Sequence, residues 1–175
     1  MTGWRLGILV LALLVAPRDA LGQAVESPRP FAWDLARAVL IDPTTYAPAV
    51  ITHEAMSGDW KTSQVFFAHG WVERNPQFTI SGLPNDRPVS YEAGTRIITR
   101  ESLKVFQYSL VNNAAAGIAE RLLIQKYPGQ RRLIRTLSWI ERIGFASFVT
   151  YTKAGAHIRQ SRENRRLARA YGYSR

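Results

Sequence analysis

Residues 101–148 read ESLKVFQYSLVNNAAAGIAERLLIQKYPGQRRLIRTLSWIERIGFASF, and this stretch decides the fold class. Apolar side chains recur every three or four residues on both sides of Pro128-Gly129, which is the spacing of an amphipathic helix. The proline and the glycine end the first helical pattern. The stretch therefore predicts two long helices, over about residues 99–127 and 130–164, and the second helix can continue to about residue 169.

Both of these helices carry an apolar stripe that we expect to pack against neighbouring helices. The first helix also contains the small-residue run Asn113–Gly117, which lets another helix backbone approach closely. Its stripe comprises Leu103, Phe106, Leu110, Ala114, Gly117 and Arg121, with Val111, Ala115, Ile118 and Leu122 beside it. The stripe of the second helix comprises Leu133, Leu137, Ile140, Gly144, Phe148, Tyr151 and Gly155.

A third long helix is predicted earlier in the chain, over about residues 49–71. Pro48 fits its first turn, and Asn75-Pro76 stops the pattern because the residue before a proline avoids the α region. A short helix over residues 32–40 precedes it. One face of the long helix is apolar and comprises His53, Met56, Trp60, Phe67, Ala68 and Trp71.

The proline- and glycine-rich segment from Gln77 to Gly94 predicts a long loop, in which residues 78–80 can form a brief extended piece. Thr99 is the expected N-cap of the helix that follows, with Ser102 as a second candidate. The predicted fold class is therefore all-α. We expect a small bundle of three long helices with a long inter-helix loop, preceded by a signal peptide.

The chain starts with the features of an export signal. A positively charged start at residues 1–5 precedes the unbroken apolar run Leu6–Ala16, which Pro17 ends. As a helix this run would reach only about 17 Å, well short of the roughly 30 Å core of a bilayer. We expect a signal peptide cut after Ala24 or Gly22, which places the protein in the periplasm or cell envelope. An uncleaved signal anchor is the alternative.

The remaining chain has room for one domain with a modest core. The predicted organisation is a signal peptide (1–24), an N-terminal linker with a short helix (25–48), a helical domain (49–164) and a basic C-terminal tail (165–175). The sequence contains no cysteine, which excludes disulfides, thiol catalysis and thiolate metal sites.

The net charge of +10 is concentrated in the C-terminal third. Residues 25–120 hold eight basic against ten acidic residues, whereas residues 121–175 hold thirteen against two. In an exported protein this surplus favours an anionic membrane surface or envelope polymer as partner, and not nucleic acid; a protein partner is also compatible. A solvated basic tail is the alternative. The residues expected to bind such a surface are Arg159, Arg162, Arg165, Arg166 and Arg169.

The long helix that begins near residue 49 has a polar face opposite its apolar face, if this helix runs to residue 73. His69 and Glu73 then lie one turn apart and can share a metal ion, with His53, Asp59 or His157 brought in by the fold. This pattern predicts a metal-assisted hydrolase as an alternative function, whereas the plainer interpretation is a polar face with a local pair. The polar face comprises Asp59, Thr62, Ser63, His69 and Glu73.

Two buried polar arrangements are also expected. Asn112 and Asn113 lie in the middle of a helix, where asparagine is unfavourable, so one of them is expected to hydrogen-bond across to Asp59. Asp59 would then have a structural role. Glu141 is expected to pair with Arg142 or with another basic residue.

No serine-hydrolase, nucleotide-binding or cofactor-binding motif is present in the sequence. We therefore expect a non-enzymatic, exported helical protein, without a cofactor, that associates with a membrane surface or a protein partner. A further alternative is an integral helical membrane protein, because residues 137–158 are largely apolar. Three charged residues interrupt that segment, namely Glu141, Arg142 and Lys153.

The order of several short motifs resembles a known pattern. Asp59-Trp60-x-Thr62-Ser63, His69-Gly70 and Glu73-Arg74-Asn75-Pro76 are followed by a loop and an Asn-Ala-rich helix that ends in Glu120-Arg121. Over about residues 56–164 this order is similar to a family of small uncharacterised bacterial helical proteins, many of which look like membrane proteins. The resemblance implies a helical architecture and no activity. The present chain is more polar than the pattern in each putative span, which argues against integral insertion.

Overall fold

The computed structural model describes residues 31–173, and every regular element within them is helical. The predicted signal peptide and the first part of the linker lie outside the described residues. The all-α class is confirmed, with four helices of which the first is short. They are α1 (Phe31–Ile41), α2 (Ala47–Ala68), α3 (Tyr91–Lys126) and α4 (Arg131–Ala170), with 3₁₀ turns at Pro43–Thr45, Pro76–Phe78 and Pro128–Gln130.

Helix α3 begins eight residues before the predicted N-cap. Ser90 is the cap, and its Oγ accepts a hydrogen bond of 3.2 Å from the backbone N–H of Ala93. The prediction of Thr99 was wrong because Gly94 suggested a loop. Gly94 is helical, and a Cβ there would lie 2.3 Å from the ring of Trp60, so this glycine provides the space for an indole ring.

The loop between α2 and α3 is tied down by backbone pairing. Two isolated antiparallel bridges join Glu73 to Asp86 and Thr79 to Pro88, and the described residues contain no longer strand. Of the extended piece expected at residues 78–80, Thr79 forms the second bridge, whereas Phe78 belongs to the 3₁₀ turn. The bridges hold the loop against the end of α2, so that Phe78 is buried in the core.

The main apolar core lies between α2, the loop and the start of α3. It consists of Met56, Trp60, Phe78 and Ile98. The Trp60 ring lies 5.1 Å from that of Phe78, and its Nε1–H donates to the carbonyl of Tyr91 at 3.1 Å. One buried tryptophan therefore joins three parts of the chain.

Helix α2 covers only part of the hairpin that α3 and α4 form. With 22 residues against 36 and 40, it is about 33 Å long, whereas α3 and α4 are about 54 and 60 Å long. The turn before α2 contacts α3 at Asn113 and α4 at Arg142. The part of the hairpin from these contacts to its turn, residues 114–142, is named here the hairpin tip.

The hairpin tip is thinly covered. Helix α1 packs on its α3 side, where a Cβ on Gly117 would lie 2.8 Å from Leu35 Cδ1. Of residues 114–142, all of which the structure describes, Ile134 alone is buried. The tip therefore has almost no interior of its own.

Candidate functional site

The predicted apolar stripe of α4 does not pack inside the bundle. Its large members are 53% to 71% exposed, namely Leu133, Leu137, Ile140, Phe148 and Tyr151. Four of the six buried residues of α4 are small or polar instead, namely Ala154, Ser161, Asn164 and Ala168. The other two are Ile134 and Val149. The expectation that the most apolar stripe faces the other helices was therefore wrong for α4.

Helix α3 shows the same arrangement. Its buried residues are Gly94, Ile98, Ser102, Val105, Ser109 and Asn113. The residues placed beside its predicted stripe point outward, with Val111 67%, Ile118 40% and Leu122 57% exposed. We call the exposed apolar rows of α3 and α4 the hairpin stripes, defined as Val111, Ile118 and Leu122 on α3 and Leu133, Leu137, Ile140, Phe148 and Tyr151 on α4.

Basic residues lie at both ends of the α4 stripe. Near the turn, four exposed basic residues belong to the hairpin tip, namely Lys126, Arg131, Arg132 and Arg135. At about 100° per residue, Arg162 and Arg169 fall on the same side of α4 as Tyr151. The face is therefore apolar along most of its length and basic at its C-terminal end.

The predicted anionic-surface residues near the end of α4 are all exposed: Arg159, Arg162, Arg165, Arg166 and Arg169. Four of them line one shallow depression, and Arg159 is outside it. Two hydrogen bonds of 2.6 and 2.9 Å join Arg166 to the carboxylate of Glu163. This pairing lowers the pKa of the Glu163 carboxyl and raises the pKa of the Arg166 guanidinium.

Arg142 connects the hairpin tip to the rest of the protein. Its Nη1 donates to Asp42 Oδ2 at 3.1 Å and its Nη2 donates to Glu120 Oε2 at 2.7 Å. The side chain is only 15% exposed. The expected pair of Arg142 with Glu141 is wrong, because Glu141 is exposed and two other carboxylates reach the guanidinium from α3 and from the turn before α2.

The mid-helix asparagines do not contact Asp59. Asn113 Nδ2 donates to Thr44 Oγ1 at 2.9 Å and to Thr45 Oγ1 at 2.7 Å, so it fixes the turn before α2 onto α3. Asn112 Nδ2 is buried and has no partner among the described residues. The expected link to Asp59 was therefore wrong, whereas the burial of Asn113 agrees with a structural role.

Asp59 is instead joined to α4. Its Oδ2 lies 2.7 Å from His157 Nδ1, and its Oδ1 accepts from Asn164 Nδ2 at 3.3 Å. Asn164 Nδ2 also donates to Ser63 Oγ at 2.9 Å. Sequence reasoning placed Asp59 and Ser63 on one face correctly but missed these partners, which lie about 100 positions away in the chain. The available signal was the spacing of His157 and Asn164, which lie seven residues apart and therefore on one face of α4.

Two of the proposed metal ligands, Asp59 and His157, are brought together, but His69, Glu73 and His53 do not join them in one group. Helix α2 ends at Ala68, so His69 and Glu73 are not one helical turn apart as expected. The His69 ring stacks on Tyr173 with the ring centroids 3.8 Å apart, and Glu73 Oε1 accepts from the N–H of Asn75. His53 Nδ1 lies 3.4 Å from Ser102 Oγ. In the described part of the chain, no three carboxylate or imidazole side chains are grouped as a metal site would require.

Within residues 31–173, no helix combines the length and the apolar composition needed to cross a bilayer. Comparisons with protein-family models, with curated proteins and with solved structures give no match to this chain. The resemblance seen over residues 56–164 therefore stays a prediction.

Proposed function

We propose that this protein is an exported, non-enzymatic helical protein of the cell envelope that attaches peripherally to an anionic membrane surface through the tip of its α3–α4 hairpin. The observation that carries this proposal is the pair of exposed hairpin stripes next to exposed basic side chains. Amphipathic helices that lie on membranes combine these two features.

The apolar contribution comes from side chains that are about half exposed. Moving a half-exposed leucine or isoleucine out of water contributes roughly 1 kcal/mol, since full burial contributes about 1.5–3 kcal/mol. Leu133, Leu137 and Ile140 alone would supply about 3 kcal/mol on this scale. The hairpin stripes place eight exposed apolar side chains in rows on two adjacent helices, whereas an ordinary surface carries its apolar residues singly.

The electrostatic contribution comes from the turn at the end of the hairpin. Each basic side chain near an anionic surface contributes about 1 kcal/mol. Four such side chains lie at the tip, of which Arg135 lies 3.9 Å from Glu120, and Glu120 is already held by Arg142. The tip therefore presents a positive surface beside its apolar rows.

The same charges argue against a second copy of the chain as the partner that covers the hairpin stripes. A two-fold interface uses the same surface on both copies. The two α4 stripes can then run parallel, with tip against tip, or antiparallel, with the tip of one copy against the C-terminal end of α4 in the other. The exposed ends of the α4 stripe are basic in both cases, with Arg131 and Arg132 at one end and Arg162 and Arg169 at the other. Such a contact would bring positive charges together, whereas an anionic bilayer complements them.

Binding to vesicles tests this proposal. The chain from residue 25 onward is mixed with phosphatidylglycerol-containing vesicles or with pure phosphatidylcholine vesicles, and the bound fraction is measured by sedimentation. We expect binding to the anionic vesicles that weakens with added salt. The triple variant Leu133→Gln, Leu137→Gln, Ile140→Gln should lower the partition coefficient about 100-fold, since it removes about 3 kcal/mol.

A matched control is available in the loop between α2 and α3. Ile80 and Leu83 are 64% and 65% exposed, as apolar as the hairpin residues, but lie in the loop at the opposite end of α2. The double variant Ile80→Gln, Leu83→Gln should bind as the wild-type chain does. Equal loss in both variants, or no binding of the wild-type chain to anionic vesicles, would contradict the proposal.

Export is supported by the pattern of residues 1–24 and has its own test. We expect the native protein to start near residue 25 by N-terminal sequencing and to fractionate with envelope membranes. Release by high salt or carbonate would support peripheral attachment, whereas a requirement for detergent would favour integral insertion. An uncut chain in the cytosol would overturn the export part of the proposal.

A further inference from the structure

A cavity of about 550 Å³ lies between α2, α4 and the loop that joins α2 to α3. This volume is in the range of small-molecule sites. One wall is aromatic and comprises Trp60, Phe66, Phe67, Trp71 and Phe78. A polar part of the lining, called here the polar wall, includes Asp59, Ser63, His157, Gln160 and Asn164. The cavity is away from the hairpin tip, so it is independent of membrane attachment.

His157 presents one free ring nitrogen in this cavity. A carboxylate only accepts hydrogen bonds, so the 2.7 Å contact with Asp59 Oδ2 places the ring proton on Nδ1. In the neutral ring, Nε2 is then an acceptor. Nε2 has no hydrogen-bond partner among the described residues, although the imidazole is 25% exposed and lines the cavity.

Ser63 presents the complementary group. Its Oγ accepts the hydrogen bond from Asn164 Nδ2 at 2.9 Å, so the hydroxyl proton remains available for a ligand. Asn164 is itself held by Gln160, whose Nε2 donates to Asn164 Oδ1 at 2.8 Å. Asn164 is 5% exposed, so this support lies in the interior. The polar wall therefore offers one acceptor and one donor, both fixed by hydrogen bonds behind them.

From these two walls, we propose that the cavity binds a small aromatic molecule that carries a hydroxyl group. The ring packs against the aromatic wall, and the hydroxyl donates to His157 Nε2 and accepts from Ser63. A single hydroxyl satisfies both, because it donates and accepts at the same time. Offset and edge-to-face contacts with the tryptophan and phenylalanine rings favour an aromatic ligand over an aliphatic one.

The probe pair 4-fluorophenol and 4-fluoroanisole tests the role of the hydroxyl. The two molecules share the ring and the fluorine, but the methyl ether cannot donate a hydrogen bond. Titration followed by ¹⁹F NMR should show saturable binding of 4-fluorophenol, and 4-fluoroanisole should bind about tenfold more weakly. No saturable binding of the phenol, or equal affinities for the two probes, would overturn the proposal.

Variants locate the binding. His157→Gln should weaken 4-fluorophenol binding about tenfold and leave 4-fluoroanisole binding nearly unchanged. The matched control is His53→Gln, because His53 contacts Ser102 and does not line the cavity. Equal effects of the two histidine variants would contradict the assignment.

A second variant keeps the test decisive if His157→Gln unfolds the protein. Ala156 is exposed and lines the cavity, so Ala156→Trp adds bulk at the wall without replacing a core residue. It should abolish binding of both probes while the helical circular dichroism stays at the wild-type level. Unchanged binding in a folded Ala156→Trp variant would place the ligand elsewhere and overturn the proposal.

Discussion

The two halves of the α3–α4 hairpin differ in what they bury: the half covered by α2 has an interior, whereas the tip has almost none. Where α2 covers the hairpin, the buried positions are largely small or polar, such as Ser102, Ser109 and Ala154. At the tip, large apolar residues such as Leu137 and Ile140 are more than half exposed. Close helix packing needs small side chains at the contact, so the apolar content of a helix face does not by itself identify the core of this protein.

A pair of tryptophans gives the largest expected difference between these regions. Trp60→Ala should lower the free energy of unfolding by about 3–5 kcal/mol, because the ring fills the core and Gly94 leaves a cavity beside it. Trp139→Ala, at a side chain that is 43% exposed on the tip, should change it by less than about 1 kcal/mol. Urea denaturation followed by circular dichroism measures both. Similar losses in the two variants would mean that the tip is part of the core.

The junction between the two regions depends on Arg142. Arg142→Met should lower the free energy of unfolding by about 3 kcal/mol, because Asp42 and Glu120 would lose their shared cation while remaining mostly buried. Arg132→Met, at an exposed position of the tip, should change it by less than about 0.5 kcal/mol. Urea denaturation followed by circular dichroism measures both arginine variants as well. A stable Arg142→Met variant would show that the tip is held by other contacts.

The adjacent residues Asn112 and Asn113 give a smaller expected difference in stability. Asn113→Ala should cost about 2 kcal/mol, because it leaves the hydroxyls of Thr44 and Thr45 without their shared donor. Asn112→Ala should leave stability unchanged or raise it by up to about 1 kcal/mol, since its amide nitrogen is buried without a partner and alanine favours the helix. Thermal unfolding of both variants checks this. A larger loss for Asn112→Ala would reverse the assignment.

The sequence was sufficient for the helices and the turn between α3 and α4, because amphipathic spacing and Pro128-Gly129 act locally. It was not sufficient for the start of α3, since Gly94 has the appearance of a loop residue until Trp60 is known to lie against it. The end of α2 was placed too late for a similar reason: backbone pairing of Glu73 with Asp86 takes that residue out of the helix.

The site was less predictable than the fold. Asp59 and Ser63 could be placed on one helix face, but their partners His157 and Asn164 come from a helix about 100 residues later. Which face of α4 lies inside depends on how closely α2 approaches it, and that distance follows from small residues such as Ala154, whose contribution to an apolar pattern is slight. Long-range pairing of this kind has no local signature.

Site-specific labelling measures the orientation at the membrane most directly. The chain contains no cysteine, so Leu137→Cys and Leu83→Cys each give a single position for a nitroxide label. On phosphatidylglycerol-containing vesicles, the label at residue 137 should gain accessibility to oxygen and lose accessibility to a water-soluble relaxation agent, while the label at residue 83 should stay in water. A label at residue 137 that stays equally accessible to the water-soluble agent on bound protein would contradict attachment through the hairpin tip.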